Sequence, residues 1–108
     1  MGPDQPNIAS NADIAPCLSV VVPVFNEAAT VVQIVRRVLE QRPVQEVVVV
    51  DDASSDGTWA ALQELKPLAP RVKLFRHEKN QGKGAALRTG FAQITGAVAI
   101  VQDADFEY

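Results

Sequence analysis

The chain has 108 residues, a formal net charge of −3 and 47% hydrophobic residues, which is about one domain's length and too apolar for a wholly disordered chain. Its one cysteine, Cys17, excludes an internal disulfide framework and a CxxC metal site. No apolar run approaches the ~18 residues of a membrane helix, and no basic-then-apolar signal pattern opens the chain, so a reducing, cytoplasmic setting is expected.

Residues 1–17 carry Asp4 and Asp13 but no Lys or Arg, with Pro3, Pro6 and Pro16 among Asn, Ser and Gln, which reads as a flexible leader. Leu18–Val24 is an apolar, β-branched run suited to a strand buried on both faces. Asn26 is placed to cap a helix with Glu27 in its first turn. Val31, Ile34, Val35, Val38 and Leu39 then share one helical face, and Pro43 closes the segment. Val47–Val50 predicts a second buried strand. Asp51 to Thr58 is turn chemistry leading into a second helix, whose buried side is Trp59, Leu62 and Leu65 and which Pro67 and Pro70 end. Val72–Arg76 predicts a third strand. Gly82-Lys83-Gly84 opens a third helix with Leu87, Phe91 and Ile94 inward. Gly96 breaks it before a fourth strand, Ala97–Val101.

Strands alternating with single helices predict an α/β fold with a mostly parallel sheet and right-handed crossovers. In such open sheets, ligands bind beyond the carboxyl ends of the strands. Each unusual cluster falls there: Pro23–Glu27, Asp51–Asp56, His77–Gly84 and Asp103–Asp105. The window Lys66–Arg88 holds seven bases and only Glu78 as an acid, yet it is too short and too poor in aromatics to argue for a nucleic-acid partner.

Asp103-Ala104-Asp105 has the sharpest chemistry. In an extended segment, residues i and i+2 face one side about 6.6 Å apart. Carboxylates so placed repel unless a cation lies near, and Mg²⁺ or Mn²⁺ is commonly held by one or two carboxylates plus substrate phosphates. The plain alternative is two solvated acids in a loop. At Asp51-Asp52, one acid can reach a nucleobase or ribose while the other points back to cap Ser54, Ser55 or Gly57 amides. Ser54 and its neighbours read as turn and helix cap rather than nucleophile, because the single histidine, His77, has no evident triad around it. The segment Asn80-Gln81-Gly82-Lys83-Gly84 is either an anion-binding helix start or a tight connection, and it is not a Walker A loop, since Gly84 follows Lys83. By the same reading His77 is a surface residue, Trp59 a core residue and Cys17 incidental.

Taken in order, Leu18–Glu27, Glu46–Thr58, Asn80–Leu87 and Val101–Tyr108 resemble family 2 glycosyltransferases. The NxGKG and QDADxEY forms are most similar to the branch containing dolichyl- and polyprenyl-phosphate sugar synthases. The resemblance implies a GT-A fold, a nucleotide-sugar donor (UDP- or GDP-linked), Mg²⁺ or Mn²⁺, and transfer with inversion to a lipid-phosphate or saccharide acceptor. Pro23, Phe25 and Glu27 match the family's loop contacting the donor nucleotide. Val50 and Asp52 match positions flanking base and ribose, and Lys83 and Gly84 lie in the basic loop bordering the nucleotide. Asp103, Ala104 and Asp105 match the DxD, with Asp105 the direct metal ligand and Asp103 nearer the ribose or metal waters. Gln102 and Glu107 receive no role. Ala53 departs from the family, which often has Gly there. The resemblance further implies that residues 18–108 are the N-terminal part of a GT-A domain, truncated after the fourth strand. The general base, acceptor pocket and any membrane helices are then expected beyond Tyr108, with this chain inactive alone at the cytoplasmic face of a membrane. Rival readings are a non-catalytic nucleotide-binding or interaction module and, less well matched, a receiver domain or a DxD phosphatase, whose motif opens its fold and is followed by Thr or Val rather than Phe106-Glu107.

Overall fold

A computed structural model describes residues 16–105. Nearly all of the expected leader therefore lies outside the described residues, as does Glu107. The chain runs β1 (Leu18–Val24), α1 (Val31–Leu39), β2 (Val44–Asp51), α2 (Thr58–Leu62) continuing as a 3₁₀ segment (Gln63–Leu68), β3 (Val72–Arg76), α3 (Lys83–Phe91) and β4 (Val98–Val101). The four strands form one parallel sheet in the order β3-β2-β1-β4.

Strand alternation splits the core into two layers. Val20, Val22 and Val24 of β1 and Val47 and Val49 of β2 pack with Val31, Val35, Leu62 and Leu65 beneath α1 and α2. Val48 and Val50 face the other way, toward Ala86 of α3. These valines bear β-branched side chains that suit a pleated surface, and burial on both faces removes the apolar–polar alternation of a one-sided strand. The chain leaves β1 through β2 and β3 on one side, then returns through α3 to place β4 on the other side of β1. The connection order thus reverses between β1 and β4, and in open α/β sheets such a reversal opens a crevice beyond the strand ends.

Several expectations need correction. Asn26 does not cap α1. It has φ 55°, and its Oδ1 accepts the Ser55 and Asp56 amides at 2.9 and 3.3 Å. The helix begins only at Val31. β2 starts at Val44 rather than Val47, because Glu46 is buried by its partners and does not interrupt the strand. Lys73 Nζ lies 2.8 Å from its Oε1, while the Ser19 hydroxyl and the Thr95 amide and hydroxyl donate to Oε2. On α3 the buried face is Ala85, Ala86 and Gly90, whereas Phe91 is 42% exposed. A Cβ built on Gly90 would stand 2.4 Å from Val21 Cγ1, so the helix sits too close to the sheet for large side chains on that face. Trp59 is only partly buried, with the Arg76 guanidinium 5.3 Å from its ring centre. β4 starts one residue later than expected, at Val98, and leaves Val98, Ile100 and Val101 exposed at the sheet edge.

Candidate functional site

The loops after β1 and β2 are knitted together by short polar side chains. Ser54 Oγ donates to Asp51 Oδ1 and accepts the Asn26 amide at 2.8 Å. Thr58 Oγ1 donates to Asp56 and accepts the Glu27 amide at 2.9 Å. These hydroxyls are consumed in holding backbone, which is the turn-and-cap role expected of them. The bonds from Thr58 and from the Thr58 and Ala28 amides hold the Asp56 carboxyl below its usual range. Ala53 has φ 63°, a left-handed conformation that favours glycine. The departure from the family pattern at this position is therefore a strained one.

The two adjacent acids of β2's end diverge. Asp51 is fully buried and turns back, accepting the Ser54 amide at 3.1 Å, with Arg76 Nε 3.9 Å from its Oδ2. That Oδ2 has no hydrogen bond among the described residues. Asp52 faces the crevice and is held from three directions. His77 Nδ1 lies 2.7 Å from Oδ1, the Gln81 amide donates to Oδ1 at 2.9 Å, and the Gly82 amide donates to Oδ2 at 2.8 Å. Asn80 Nδ2 also donates to the Asp52 carbonyl at 3.2 Å. Burial pushes the Asp52 carboxyl up, but the bonds from His77, Gln81 and Gly82 outweigh it and leave the pKa below its ordinary value. Gly82 has φ 93°, so a residue without Cβ is required where the loop folds over Asp52.

After β4, the Ala104 carbonyl accepts the Thr30 hydroxyl at 2.6 Å, and Ala104 itself is buried. That anchor turns its flanking carboxylates toward the crevice. Lys83 Nζ, at the start of α3, lies 2.6 Å from Asp103 Oδ1. Together these segments enclose a cavity of about 480 Å³ lined by Pro23, Val24, Phe25, Glu27, Asp52, Asn80, Gly82, Lys83, Ala86, Asp103, Ala104 and Asp105. That volume lies within the ~300–1,000 Å³ of small-molecule sites.

Of the candidates read from the sequence, Pro23, Phe25, Glu27, Asp52, Lys83, Asp103, Ala104 and Asp105 thus share one cavity. Two do not reach it. Val50 is fully buried against Ala86, because strand alternation turns it into the layer under α3. Gly84 is exposed on the first turn of α3, beside Arg88. Three contributors were not given these roles from the sequence. His77 is 10% exposed, not a surface residue, and its Nε2 lies 2.8 Å from Thr89 Oγ1. Thr30 and Asn80 act through partners 74 and 28 residues away, which local patterning does not reveal.

Among the described residues, no cluster of three or more His, Cys, Asp or Glu could hold a metal, and no helix is long and apolar enough to cross a membrane.

Comparison with known proteins gives the site its context. The chain is 38% identical over 93 residues to a dolichol-phosphate mannosyltransferase of Pyrococcus furiosus, which covers 84% of this chain and 26% of that protein. It is 35% identical over 97 residues to an undecaprenyl-phosphate 4-deoxy-4-formamido-L-arabinose transferase of Pseudomonas fluorescens, covering 84% of this chain and 28% of that protein. Among solved structures, the mannosyltransferase PcManGT of Pyrobaculum calidifontis, in complex with GDP-Man and Mn²⁺, superposes with a TM-score of 0.75 at 33% identity. That match covers 94% of this chain and 31% of PcManGT. The chain therefore spans between a quarter and a third of the length of these relatives, and it has the fold of the corresponding part of GT-A glycosyltransferases. The sequence model of the family described as glycosyl transferase family 2 matches residues 19–108, and the chain belongs to that family.

Proposed function

We propose that this chain forms the donor-binding part of an inverting glycosyltransferase that moves a sugar from a UDP- or GDP-linked donor to an acceptor, foremost a polyprenyl or dolichyl phosphate. The observation that carries this reading is the single cavity uniting Asp52, Lys83, Asp103 and Asp105 at the β1/β4 reversal. Asp52 supplies an oriented acceptor for the hydroxyls or N–H groups of a nucleoside. Lys83 and the α3 N-terminus place positive charge where a diphosphate would lie. PcManGT, with its GDP-Man, and the relatives named for dolichol- and undecaprenyl-phosphate support the donor and acceptor classes.

The carboxylates of Asp103 and Asp105 are hard oxygen donors on one cavity wall, a set that fits Mg²⁺ or Mn²⁺ completed by diphosphate oxygens and water. Asp105 would be the direct ligand and Asp103 a second ligand or a partner of the ribose and metal waters. Held there, such a cation would supply positive charge to offset the charge developing on the departing nucleoside diphosphate. Around it, Asp52 orients the nucleoside, Lys83 draws the diphosphate in, and Pro23, Phe25 and Glu27 border the nucleotide. Phe25 is 47% exposed, leaving an apolar face open beside the polar wall. Displacement of the diphosphate by an acceptor oxygen on the opposite face of the sugar would invert the anomeric carbon. Membrane association, at the cytoplasmic face, would come through regions outside the described residues or through partners.

The test is a titration of the 108-residue chain with UDP and with GDP, with and without Mg²⁺, read by NMR. Weak, cation-dependent binding without sugar transfer is expected, and Asp105→Ala removes the cation dependence. Binding that ignores both the cation and Asp105 would falsify the metal assignment.

A further inference from the structure

The donor-site reading leaves the mostly buried His77 side chain without a task. His77 directly follows β3, its amide bonded to the Asp51 carbonyl at 2.9 Å, and its ring lies between the end of the sheet and Thr89 of α3. The side chain is 10% exposed and that of its partner Asp52 is 5% exposed. Both ring nitrogens are engaged, Nδ1 with Asp52 Oδ1 at 2.7 Å and Nε2 with Thr89 Oγ1 at 2.8 Å. An ionised carboxylate only accepts hydrogen bonds, so Nδ1 carries a proton, and in the neutral ring Nε2 accepts from the Thr89 hydroxyl.

This arrangement decides how Asp52 meets the cavity. Each carboxylate oxygen has two acceptor directions. The His77 ring and the Gln81 amide fill both on Oδ1, while the Gly82 amide takes one on Oδ2. Among the described residues one acceptor direction remains, on Oδ2, and Asp52 lines the cavity. All three donors belong to the connection between β3 and α3, and within it His77 is tied to β2 through the Asp51 carbonyl and to α3 through Thr89.

We propose that His77 is a positioning residue of the donor site: through its Nδ1–H it locks the Asp52 carboxylate so that one Oδ2 lone pair faces the nucleoside of a nucleoside-diphosphate donor, with Thr89 holding the ring's tautomer. The role rests on the donor-site reading of Asp52 given above. It is distinct from a purely structural bolt between β3 and α3, because it acts on ligand affinity through one carboxylate.

The chain has a single histidine, so its ring signals are unambiguous. In a long-range ¹H–¹⁵N correlation spectrum of the ¹⁵N-labelled 108-residue chain above the histidine titration range, the neutral ring is expected with its proton on Nδ1. A proton on Nε2 overturns the proposal. The binding arm titrates UDP and GDP in the presence of Mg²⁺ into the wild type, Asp52→Ala, His77→Ala, His77→Asn and the Asp52→Ala/His77→Ala double variant. His77→Ala is expected to weaken binding about tenfold, the range of a hydrogen bond to a charged group. His77→Asn, which keeps an N–H near the Nδ1 position, stays within about threefold of wild type, and the double variant binds no more weakly than Asp52→Ala alone. Unchanged binding in a folded His77→Ala, or additive losses in the double variant, overturns the positioning role while leaving the donor site intact. Unchanged binding in Asp52→Ala, or no nucleotide binding by the wild type, overturns the donor-site reading and this role with it. Should His77→Ala not fold, the wild-type tautomer and a folded His77→Asn decide the matter: binding by the latter as weak as that of Asp52→Ala overturns the proposal.

Discussion

The Lys83 ammonium lies 2.6 Å from an Asp103 carboxylate oxygen, joining the N-terminus of α3 to the loop after β4. The side chains are 60% and 42% exposed, respectively. Exposed pairs contribute about 0–1 kcal/mol, so this contact shapes the charge of the cavity more than it holds the fold. Lys83→Met is expected to change unfolding free energy by less than ~1 kcal/mol while weakening UDP and GDP binding several-fold. Paired denaturant curves and nucleotide titrations check this. A large stability loss with unchanged binding would reverse the assignment.

Gly90 is where α3 meets β1. Alanine is normally the better helix former by about 1 kcal/mol. Here its Cβ would stand 2.4 Å from Val21 Cγ1 and 3.4 Å from Cγ2. Gly90→Ala is therefore expected to destabilise the chain, by ~1–3 kcal/mol as overpacked core substitutions do. Urea unfolding measures it, and a stabilised variant would show that α3 can lift off the sheet freely.

Glu46 gives the fold a pH dependence of known sign. Burial raises its pKa, but Lys73, Ser19 and Thr95 together bring it down from 4.5 to about 2. Folding thus favours the ionised form. The resulting stability is fully present above about 4.5 and is lost as pH falls toward about 2. At neutral pH it amounts to at most ~3 kcal/mol. Asp52 and Asp56 are shifted in the same direction and add to the acid slope. Glu46→Gln is expected to flatten the stability–pH profile below pH ~4.5 relative to wild type. Chemical denaturation across that range tests it, and parallel profiles would contradict the assignment.

Ala53 holds a φ of 63° in the loop that ties Asp51 to the β1–α1 turn. A left-handed conformation costs a non-glycine residue about 1–2 kcal/mol, partly offset by the greater unfolded-state entropy of glycine. Ala53→Gly is expected to be neutral to stabilising by up to ~1 kcal/mol, and Ala53→Val clearly destabilising. Thermal unfolding of the two variants in parallel distinguishes relieved backbone strain from a packing role for the methyl group.

Much of the site was legible locally. Valine runs located β1 and β2, short apolar segments located β3 and β4, and the turn residues after each placed the polar clusters at carboxyl ends. Alternation in an extended chain implied that only one of Asp51 and Asp52 could face the crevice. What stayed hidden were partnerships across the chain. The Asp52–His77 contact joins residues 25 apart, and the Thr30–Ala104 bond joins residues 74 apart. The valine run predicted β2 only from Val47, whereas the strand includes Glu46, whose compensating partners come from β1, β3 and the loop after α3. Phe91 looked like core because a large apolar residue at helical spacing ordinarily is. The small Gly90 beside it decides which face of α3 meets β1.

The sequence by itself determined the alternation of strand and helix, the family and the carboxylates and lysine available to the cavity. These follow from short-range patterns, where a side chain's direction repeats every two or 3.6 residues. Tertiary structure alone decided the strand order β3-β2-β1-β4, the crevice at its reversal, and which polar atoms hold Asp52 and Ala104 in place. Those depend on which distant segments pack against one another, and a buried polar group must find its partner wherever the fold brings one within hydrogen-bond reach.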